Sequence, residues 1–186
     1  MPIDIAFLER LRIEPLDRNR HDRAAFSSGE DRIDTYLRTR AAGLQDVEGT
    51  RVWVACLDDT TEIVGFYAMN AHGIDASAIP ANLRRKLPTQ HPIGAVFLSN
   101  IGTTADHQNK GVGSLLLADA FKNAIKAADV IGAAFIVLDA LSENAARLYR
   151  RVGFVNIPEP PGRMIIGMKQ VRAAVRIAAE VPAETV

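Results

Sequence analysis

The pattern of apolar and polar positions predicts three helices. Residues 27–46 carry apolar side chains at helical spacing, with Ser28 suited to capping the first turn. Residues 111–132 are amphipathic and end at a glycine, and residues 142–152 form a shorter helical pattern that begins with Ser142. Four residues define the apolar face of the first helix: Ile33, Leu37, Ala41 and Leu44.

Runs of β-branched and aromatic residues predict six strands. They cover residues 12–17, 51–58, 62–74, 93–103, 133–140 and 163–171. The Asp-Asp-Thr-Thr stretch at residues 58–61 is typical of a turn, so the second and third strands are expected to form a hairpin. The order β, α, β, β, β, α, β, α, β predicts an α/β fold with a mixed sheet and excludes a strictly alternating doubly wound fold.

Length and composition are those of one globular domain. The chain has 186 residues, of which 48% are hydrophobic and 24% are charged. We expect a domain at residues 1–172 and a C-terminal tail at residues 173–186. No apolar run reaches the ~18 residues of a membrane span, and the first residues lack a secretory signal. The single cysteine, Cys56, excludes an internal disulfide and fits the reducing cytoplasm.

The formal net charge is zero, whereas dedicated nucleic-acid-binding proteins are usually basic. Two segments nevertheless concentrate cations, at residues 83–86 (LRRK) and at residues 147–151 (RLYRR). Each segment is either a solvated helix face or a site for a polyanion, and the pattern alone leaves both alternatives open.

A strand, a short loop and the sequence Gly111-Val-Gly113 precede the long helix. The N–H groups of the first helical turn lack internal partners, and glycine lets an anion approach them closely. Lys110 and Ser114 are placed to add donors. The spacing matches neither a P-loop nor a Rossmann fingerprint, so the segment alone predicts either a phosphate site or close packing.

Two motifs together resemble the GNAT acetyltransferase superfamily. Residues 108–113 (QNKGVG) are similar to its Gln/Arg-x-x-Gly-x-Gly/Ala motif, which binds the pyrophosphate of coenzyme A. Residues 140–154 (ALSENAARLYRRVGF) resemble its second signature, a helix that carries a tyrosine and ends in Gly-Phe. The resemblance implies acetyl-CoA as co-substrate and a mixed, mostly antiparallel central sheet flanked by helices.

Residues 26–41 and the loop at residues 79–88 (IPANLRRKLP) resemble one branch of that superfamily, the toxins of bacterial toxin–antitoxin modules. The branch implies acetylation of the α-amine of aminoacyl-tRNA and a ribbon–helix–helix antitoxin as partner. Asn109 stands where the branch usually has glycine, and Asn100 stands where it often has arginine. Homodimers are expected by analogy with other GNAT proteins.

The resemblance assigns roles to residues. Main-chain N–H groups would hold the pyrophosphate, the strand ending at Thr103 would align the pantetheine arm, and Tyr149 would protonate the leaving thiolate. The predicted cofactor-binding residues are Ile101, Thr103, Gln108, Asn109, Lys110, Gly111, Val112, Gly113, Ser114 and Ser142. The predicted tRNA contacts are Arg84, Arg85, Lys86, Arg147, Arg150 and Arg151.

The general base is left open among Asn100, His72 and His107. No metal site is expected, because His21 and His91 show no ligand spacing. Three functions remain after the sequence is considered: acetylation of aminoacyl-tRNA, acetylation of a small-molecule or protein amine, and acyl-CoA binding without catalysis.

Overall fold

The structure is a computed structural model that describes residues 5–58 and 60–180. Asp59 of the predicted hairpin turn and residues 181–186 of the predicted tail lie outside the described residues. The chain divides into two compact units. The first contains residues up to Asn70 together with Leu98–Ala120, and the second contains Ala71–Phe97 together with the residues from Phe121 onward.

In the described part of the chain, seven strands form one sheet in the order β1-β2-β3-β4-β5-β7-β6. They are β1 (Leu11–Pro15), β2 (Arg51–Leu57), β3 (Ile63–Ile74), β4 (Ile93–Thr103), β5 (Phe135–Asp139), β6 (Val155–Asn156) and β7 (Arg163–Gly167). Strand β2 pairs with both β1 and β3 in antiparallel fashion, and β7 pairs likewise with β5 and β6. The six predicted strands and the hairpin are therefore confirmed, and β6 is an addition.

The helices are α1 (Ile5–Glu9), α2 (Asp31–Thr35), α3 (Ala41–Asp46), α4 (Ala81–Arg84), α5 (Val112–Ile131), α6 (Glu143–Val152) and α7 (Met168–Glu180). The predicted helices at residues 111–132 and 142–152 are confirmed as α5 and α6. The last strand was predicted to continue to Val171, and this was wrong, because α7 begins at Met168. Residues 173–180 are thus helical, while the domain limits stay a prediction. No described helix is long and apolar enough to cross a membrane.

A π-helical segment, Tyr36–Arg40, joins α2 to α3. The wider turn of a π-helix shifts the face that later residues present to the core. Ile33, Leu37 and Ala41 are buried as predicted, but Leu44 is 40% exposed. The prediction that Leu44 belongs to the buried face was wrong, because after the π-helical turn α3 buries Ala42 beside Ala41 and turns Leu44 to the solvent.

Ser28 does not cap α2, contrary to prediction. Glu30 occupies the N-cap position without a side-chain bond. The N–H and the hydroxyl of Ser28 both donate to Asp34 Oδ1, at 2.8 and 2.6 Å. The buried Asp34 carboxylate therefore holds the loop that precedes the helix, and Ser28 is part of that loop.

Each unit has its own apolar core. The core of the first unit includes Phe26, Leu37, Val54, Phe66 and Ala68. The core of the second unit includes Ile74, Ile79, Ala95, Phe135, Val137 and Ile165. Burial of these side chains is the main stabilising contribution within each unit.

We expect Gly102→Ala to destabilise the protein by about 1–3 kcal/mol. A Cβ at Gly102 would lie 2.5 Å from Ile33 Cγ2, and a β-branched side chain cannot swing away from that contact. Gly43 in α3 is the matched control, because a Cβ there meets no atom within 4 Å. Thermal unfolding should show a lower Tm for Gly102→Ala and an unchanged or higher Tm for Gly43→Ala. Equal Tm values for the two variants would contradict this packing.

Candidate active site

Main-chain hydrogen bonds hold the segment between β4 and α5 in the first unit. The Thr104 N–H donates to the Val64 carbonyl at 2.9 Å, and the Ala105 N–H donates to the Ser27 carbonyl at 2.9 Å. A short 3-10 turn follows at Ala105–His107. These contacts fix the chain just before the turn that leads into α5.

Gln108 supports this turn with its side chain. Its Nε2 donates to the carbonyls of Ser28 (2.8 Å) and Thr103 (3.3 Å). Its own N–H donates to the Ala105 carbonyl at 3.3 Å. Because these donors are used within the protein, Gln108 positions the loop, and its predicted contact with the cofactor stays a prediction.

The next six N–H groups, of residues 109–114, have no such partners. No described residue accepts a hydrogen bond of ordinary geometry from any of them, and the first N–H that does find an acceptor is that of Leu115, on the Gly111 carbonyl at 3.0 Å. Asn109 and Gly111 have φ values of 61° and 92°. Asparagine and glycine adopt this left-handed region most readily. We call residues 109–114 the amide loop.

Strand β3 brings the start of α5 close to the sheet at Gly65. A Cβ at Gly65 would lie 2.8 Å from Leu116 Cδ1 and 3.1 Å from Val112 Cγ1. The absence of a side chain there lets the first turn of α5 pack directly on β3. The Val112 side chain is accordingly buried in this contact, at 1% exposure.

Gly113 faces open space. A Cβ at this position would meet only Thr103 Oγ1, at 3.9 Å, which is an ordinary contact. Packing therefore does not require glycine at residue 113. Gly113 lies in the first turn of α5, a 20-residue helix, and unpartnered N–H groups at the positive end of a helix form an arrangement that binds a phosphate group.

Lys110, within the amide loop, and His107, just before it, contact the same aromatic ring. The Lys110 ammonium lies 5.6 Å from the centre of the Phe7 ring, and that ring stacks on His107 at 5.2 Å. His107 Nδ1 also lies 3.0 Å from Thr104 Oγ1. His107 thus helps to hold the loop, and its place among the candidates for the general base stays a prediction.

The remaining cofactor residues in this unit are at the end of β4 and the start of α5. Ile101 and Thr103 are half-buried, and Ser114 is exposed. The structure brings these residues and the amide loop together at one end of the first unit. Their contacts with a cofactor stay predictions.

Asn100 lies in a polar cleft of about 390 Å³, lined also by Asp31, Arg32, Tyr36 and Arg40. The Asn100 amide makes one long hydrogen bond, to Ser99 Oγ at 3.4 Å. The two arginines were not predicted, because the apolar pattern does not show the π-helical segment that ends at Arg40 and brings Arg40 to the same face as Arg32. The cleft therefore offers cations beside the strand that is expected to align the thioester.

Tyr149 lies in α6 of the second unit and is 9% exposed. Its ring packs edge-to-face on Phe154 at 5.7 Å, and burial raises the pKa of its hydroxyl to about 12. None of the described residues hydrogen-bonds that hydroxyl. The phenol therefore keeps its proton at neutral pH and has that proton available for an incoming group.

The other polar residues of α6 are largely engaged with one another. Ser142 caps the helix by accepting a hydrogen bond from the Ala145 N–H at 3.2 Å, as predicted, and Gly153 ends it with a φ of 106°. Arg150 donates to Glu143 at 2.8 Å and to Asn156 at 3.1 Å. The contact of Ser142 with the cofactor stays a prediction.

The other predicted tRNA contacts differ in whether their guanidinium groups already donate hydrogen bonds within the protein. Arg84 donates to the Ala76 carbonyl at 3.1 Å, and Arg147 donates to Asn144. Arg85 and Arg151 are exposed, and the described residues contain no ion-pair partner for either.

His72 lies against Phe97, with ring centres 5.2 Å apart. Burial lowers its pKa, the nearby Arg163 lowers it further, and Asp139 opposes this effect. Arg163 donates two hydrogen bonds to Asp139, at 2.8 and 3.0 Å. The lowered pKa favours the neutral imidazole, which is the form a base needs, while the use of His72 as the base stays a prediction.

Glu14, His21 and Cys56 form a tight group whose potential ligand atoms lie within 4.8 Å of one another. His21 Nδ1 accepts a hydrogen bond from the Asp17 N–H at 2.9 Å, so the ring proton sits on Nε2 and is donated to Glu14 at 3.0 Å. A metal-bound histidine instead donates its second N–H outward. Burial also raises the pKa of Cys56 to about 11. This bonding pattern is that of a structural group.

We expect Glu14→Gln to lower the free energy of unfolding by about 2 kcal/mol at neutral pH. Burial raises the pKa of Glu14, but hydrogen bonds from Arg12, His21 and Arg20 outweigh it and bring the pKa down from 4.5 to about 2. This contribution is therefore complete above pH 4.5 and disappears as the pH falls through 2. Urea unfolding across this range should show the two proteins converging at acid pH, and a constant difference would contradict the assignment.

A search of protein-family models matches residues 48–156 to the acetyltransferase (GNAT) domain, which is more than half of the chain. The chain belongs to the GNAT acetyltransferase family. The sequence resemblance to this family is thereby confirmed, and the protein is an acyltransferase.

Two curated GNAT relatives extend the similarity along nearly the whole chain. A protein of Sinorhizobium fredii named "Probable toxin TacT" is 37% identical over 168 residues, covering 87% of this chain and 93% of that protein. A Mycobacterium tuberculosis protein named "tRNA-acetylating toxin" is 35% identical over 154 residues, covering 83% and 90%. The similarity to the toxin branch is therefore confirmed.

Solved structures share the GNAT fold. A tyrosine-to-phenylalanine mutant of KacT superposes with a TM-score of 0.82 at 21% identity, over 89% of this chain and 99% of that one. AtaT in complex with acetyl-methionyl-tRNAfMet gives a TM-score of 0.81 at 22% identity, over 88% and 98%. The predicted fold class, a mostly antiparallel sheet flanked by helices, is confirmed.

Proposed function

We propose that this GNAT protein transfers an acetyl group from acetyl-CoA to the α-amine of aminoacyl-tRNA and acts as the toxin of a toxin–antitoxin pair. The observation that carries the proposal is the 35% identity, over 83% of the chain, to a protein named tRNA-acetylating toxin. Charged tRNA is a cytoplasmic substrate, so the protein acts in the cytoplasm.

The amide loop supports acetyl-CoA as the donor. Six unpaired N–H groups at a helix N-terminus suit the two negative phosphates of the pyrophosphate. Gly113 leaves the space that these phosphates need. A structural neighbour, the AtaT–AtaR pair, is described as bound to acetyl-CoA.

In the proposed mechanism the neutral α-amine attacks the thioester carbonyl, a C–N bond forms, and the C–S bond breaks. The main chain at Ile101–Thr103 polarises the carbonyl and stabilises the oxyanion. Tyr149 gives its proton to the departing sulfur, and the proton lost by the amine passes to solvent or to a base.

We revise the set of proposed tRNA contacts according to which guanidinium and ammonium groups are not already hydrogen-bonded within the protein. Arg84 and Arg150 use their guanidinium groups within the protein, so we expect them to contribute less than Arg85, Lys86 and Arg151. Arg32 and Arg40 join the set, because they flank the cleft at Asn100. Phosphate contacts of this kind weaken steeply as salt is added.

A protein partner completes the proposal. The neighbours include an AtaT mutant bound to the C-terminus of the antitoxin AtaR, and a KacTA–DNA complex. We propose that the present chain is bound and neutralised by an antitoxin, of the ribbon–helix–helix class.

The proposal is tested by offering the protein labelled acetyl-CoA with charged tRNA, with uncharged tRNA and with a panel of free amines. We expect label only on charged tRNA, in an ester-linked product that mild base releases. Label confined to free amines would show a small-amine acetyltransferase instead. Binding of acetyl-CoA without transfer to any acceptor would show a non-catalytic module.

A further inference from the structure

A cavity of about 480 Å³ opens in the second unit. Its lining includes Arg85 and Lys86, which are among the proposed tRNA contacts, but not Tyr149 or Ser142. One wall is formed by residues 82–83 and 85–87, in and after α4. The other is formed by residues 133–135, where β5 begins, and residues 167–170, where β7 ends and α7 starts. We call it the α4–α7 cavity.

Both walls are held by hydrogen bonds, so the cavity is preformed. The Leu87 N–H donates to the Arg84 carbonyl at 2.8 Å, and the Arg84 guanidinium donates to the Ala76 carbonyl at 3.1 Å. On the other side, the Met168 N–H donates to the Ala134 carbonyl at 2.8 Å. A preformed cavity loses little conformational entropy when a ligand enters.

The α4–α7 cavity is lined by apolar side chains and by cations. Its apolar lining consists of Leu83, Leu87, Ala133, Ala134, Phe135 and Met168. Its charged lining residues are Arg85, Lys86 and Lys169, and no carboxylate belongs to the lining. Within the described residues these three cations have no ion-pair partner. The start of α7 adds a partial positive charge at the same rim.

The apolar surface is aliphatic where it is accessible. Phe135 is only 2% exposed, and no other aromatic residue lines the cavity. Single-stranded nucleic acids are usually held on exposed aromatic side chains on which the bases stack. The α4–α7 cavity lacks such a surface, whereas its aliphatic walls suit an aliphatic side chain and its cations suit nearby carboxylates.

We propose that the α4–α7 cavity docks an acidic peptide segment of a protein partner, which inserts leucine-like side chains between the walls and sets carboxylates against Arg85, Lys86 and Lys169. This inference rests on the proposed function in one respect, since the partner it fits is the protein that neutralises the toxin. Side chains that fill a desolvated pocket contribute most of the binding energy of an interface, and complementary charges at its rim add specificity.

The test uses the full chain and a fluorescein-labelled synthetic peptide of roughly 14 residues, about four helical turns, with leucine at helical spacing and glutamate elsewhere. Two matched peptides replace every glutamate by lysine or every leucine by serine. A labelled single-stranded RNA of similar length is the nucleic-acid probe. Fluorescence anisotropy reports binding to the wild type and to the variants Leu87→Gln, Lys169→Glu and Lys122→Glu, of which the last reverses an exposed charge outside the cavity.

We expect the acidic leucine peptide to bind the wild type and Lys122→Glu equally, and to bind Leu87→Gln and Lys169→Glu about tenfold more weakly or worse. Each matched peptide should bind the wild type at least about tenfold more weakly. Thermal unfolding verifies that the variants are folded. Equal affinity for all variants, equal affinity for all peptides, or no peptide binding would overturn the proposal.

Two further outcomes would also overturn it. If the RNA binds and Leu87→Gln weakens that binding, the cavity serves nucleic acid. If the wild type self-associates in sedimentation experiments and Leu87→Gln abolishes this, the occupant is a second copy of the chain. Acetyl transfer to charged tRNA is measured on the same samples, so a failure of the proposed function is seen independently of peptide binding.

Discussion

Replacing Tyr149 by phenylalanine is expected to lower kcat for acetyl transfer by about a hundredfold or more. The buried hydroxyl keeps its proton at neutral pH, because burial raises its pKa to about 12. Without that proton the thiolate must leave unprotonated. The ring itself, which packs on Phe154, is unchanged, so KM for acetyl-CoA and the Tm should stay close to those of the wild type.

Tyr67→Phe is the matched control for Tyr149→Phe. The Tyr67 hydroxyl donates to Asp119 Oδ2 at 2.5 Å in the first unit, and no catalytic role is assigned to it. Its removal should cost roughly 1–3 kcal/mol of stability and leave kcat nearly unchanged, because a hydrogen bond to a charged group is lost. Steady-state kinetics and thermal unfolding measure both effects. If Tyr149→Phe lowers the Tm and preserves kcat, Tyr149 is a core aromatic residue and not the acid.

The second large effect is expected for Gly113→Val, which should weaken acetyl-CoA binding by about a hundredfold. The new side chain would occupy the space over the amide loop, so the pyrophosphate would lose charge-assisted hydrogen bonds, which contribute roughly 1.5–3 kcal/mol each. Calorimetric titration with acetyl-CoA measures the change in Kd.

The fold should tolerate Gly113→Val, since the added Cβ meets only Thr103 Oγ1 at 3.9 Å. Gly111→Val is the contrasting variant, because the φ of 92° at Gly111 would strain any residue with a side chain and lower the Tm as well. An unchanged Kd for Gly113→Val would show that no ligand occupies that space.

The amide loop was predictable from the sequence because its chemistry depends on local features. Two glycines before an amphipathic run predict either a phosphate site or close packing, and the GNAT-like motif around them favours the phosphate site. Asn109 also follows this logic, since its φ of 61° lies in the left-handed region that asparagine adopts more readily than most residues. The same locality explains why Ser142 was correctly assigned as the cap of α6.

Other features depend on distant contacts and could not be predicted. The π-helical turn at Tyr36–Arg40 is not visible in the apolar pattern, so Leu44 was placed on the wrong face and the arginines beside Asn100 were missed. Strand β6 has two residues and exists because it pairs with β7. Arg150 looked available for tRNA until the structure placed Glu143 and Asn156 against it.

The measurement that most directly tests the account is hydrogen–deuterium exchange of residues 109–114 in the presence of either acetyl-CoA or S-acetylpantetheine, which lacks the pyrophosphate. Amides without acceptors exchange fast, so we expect residues 109–114 to exchange fast in the protein alone and in the presence of S-acetylpantetheine. In the presence of acetyl-CoA we expect these amides to be strongly protected. Protection that is absent with acetyl-CoA, or equal with both compounds, would contradict the claim that these six amides hold the diphosphate.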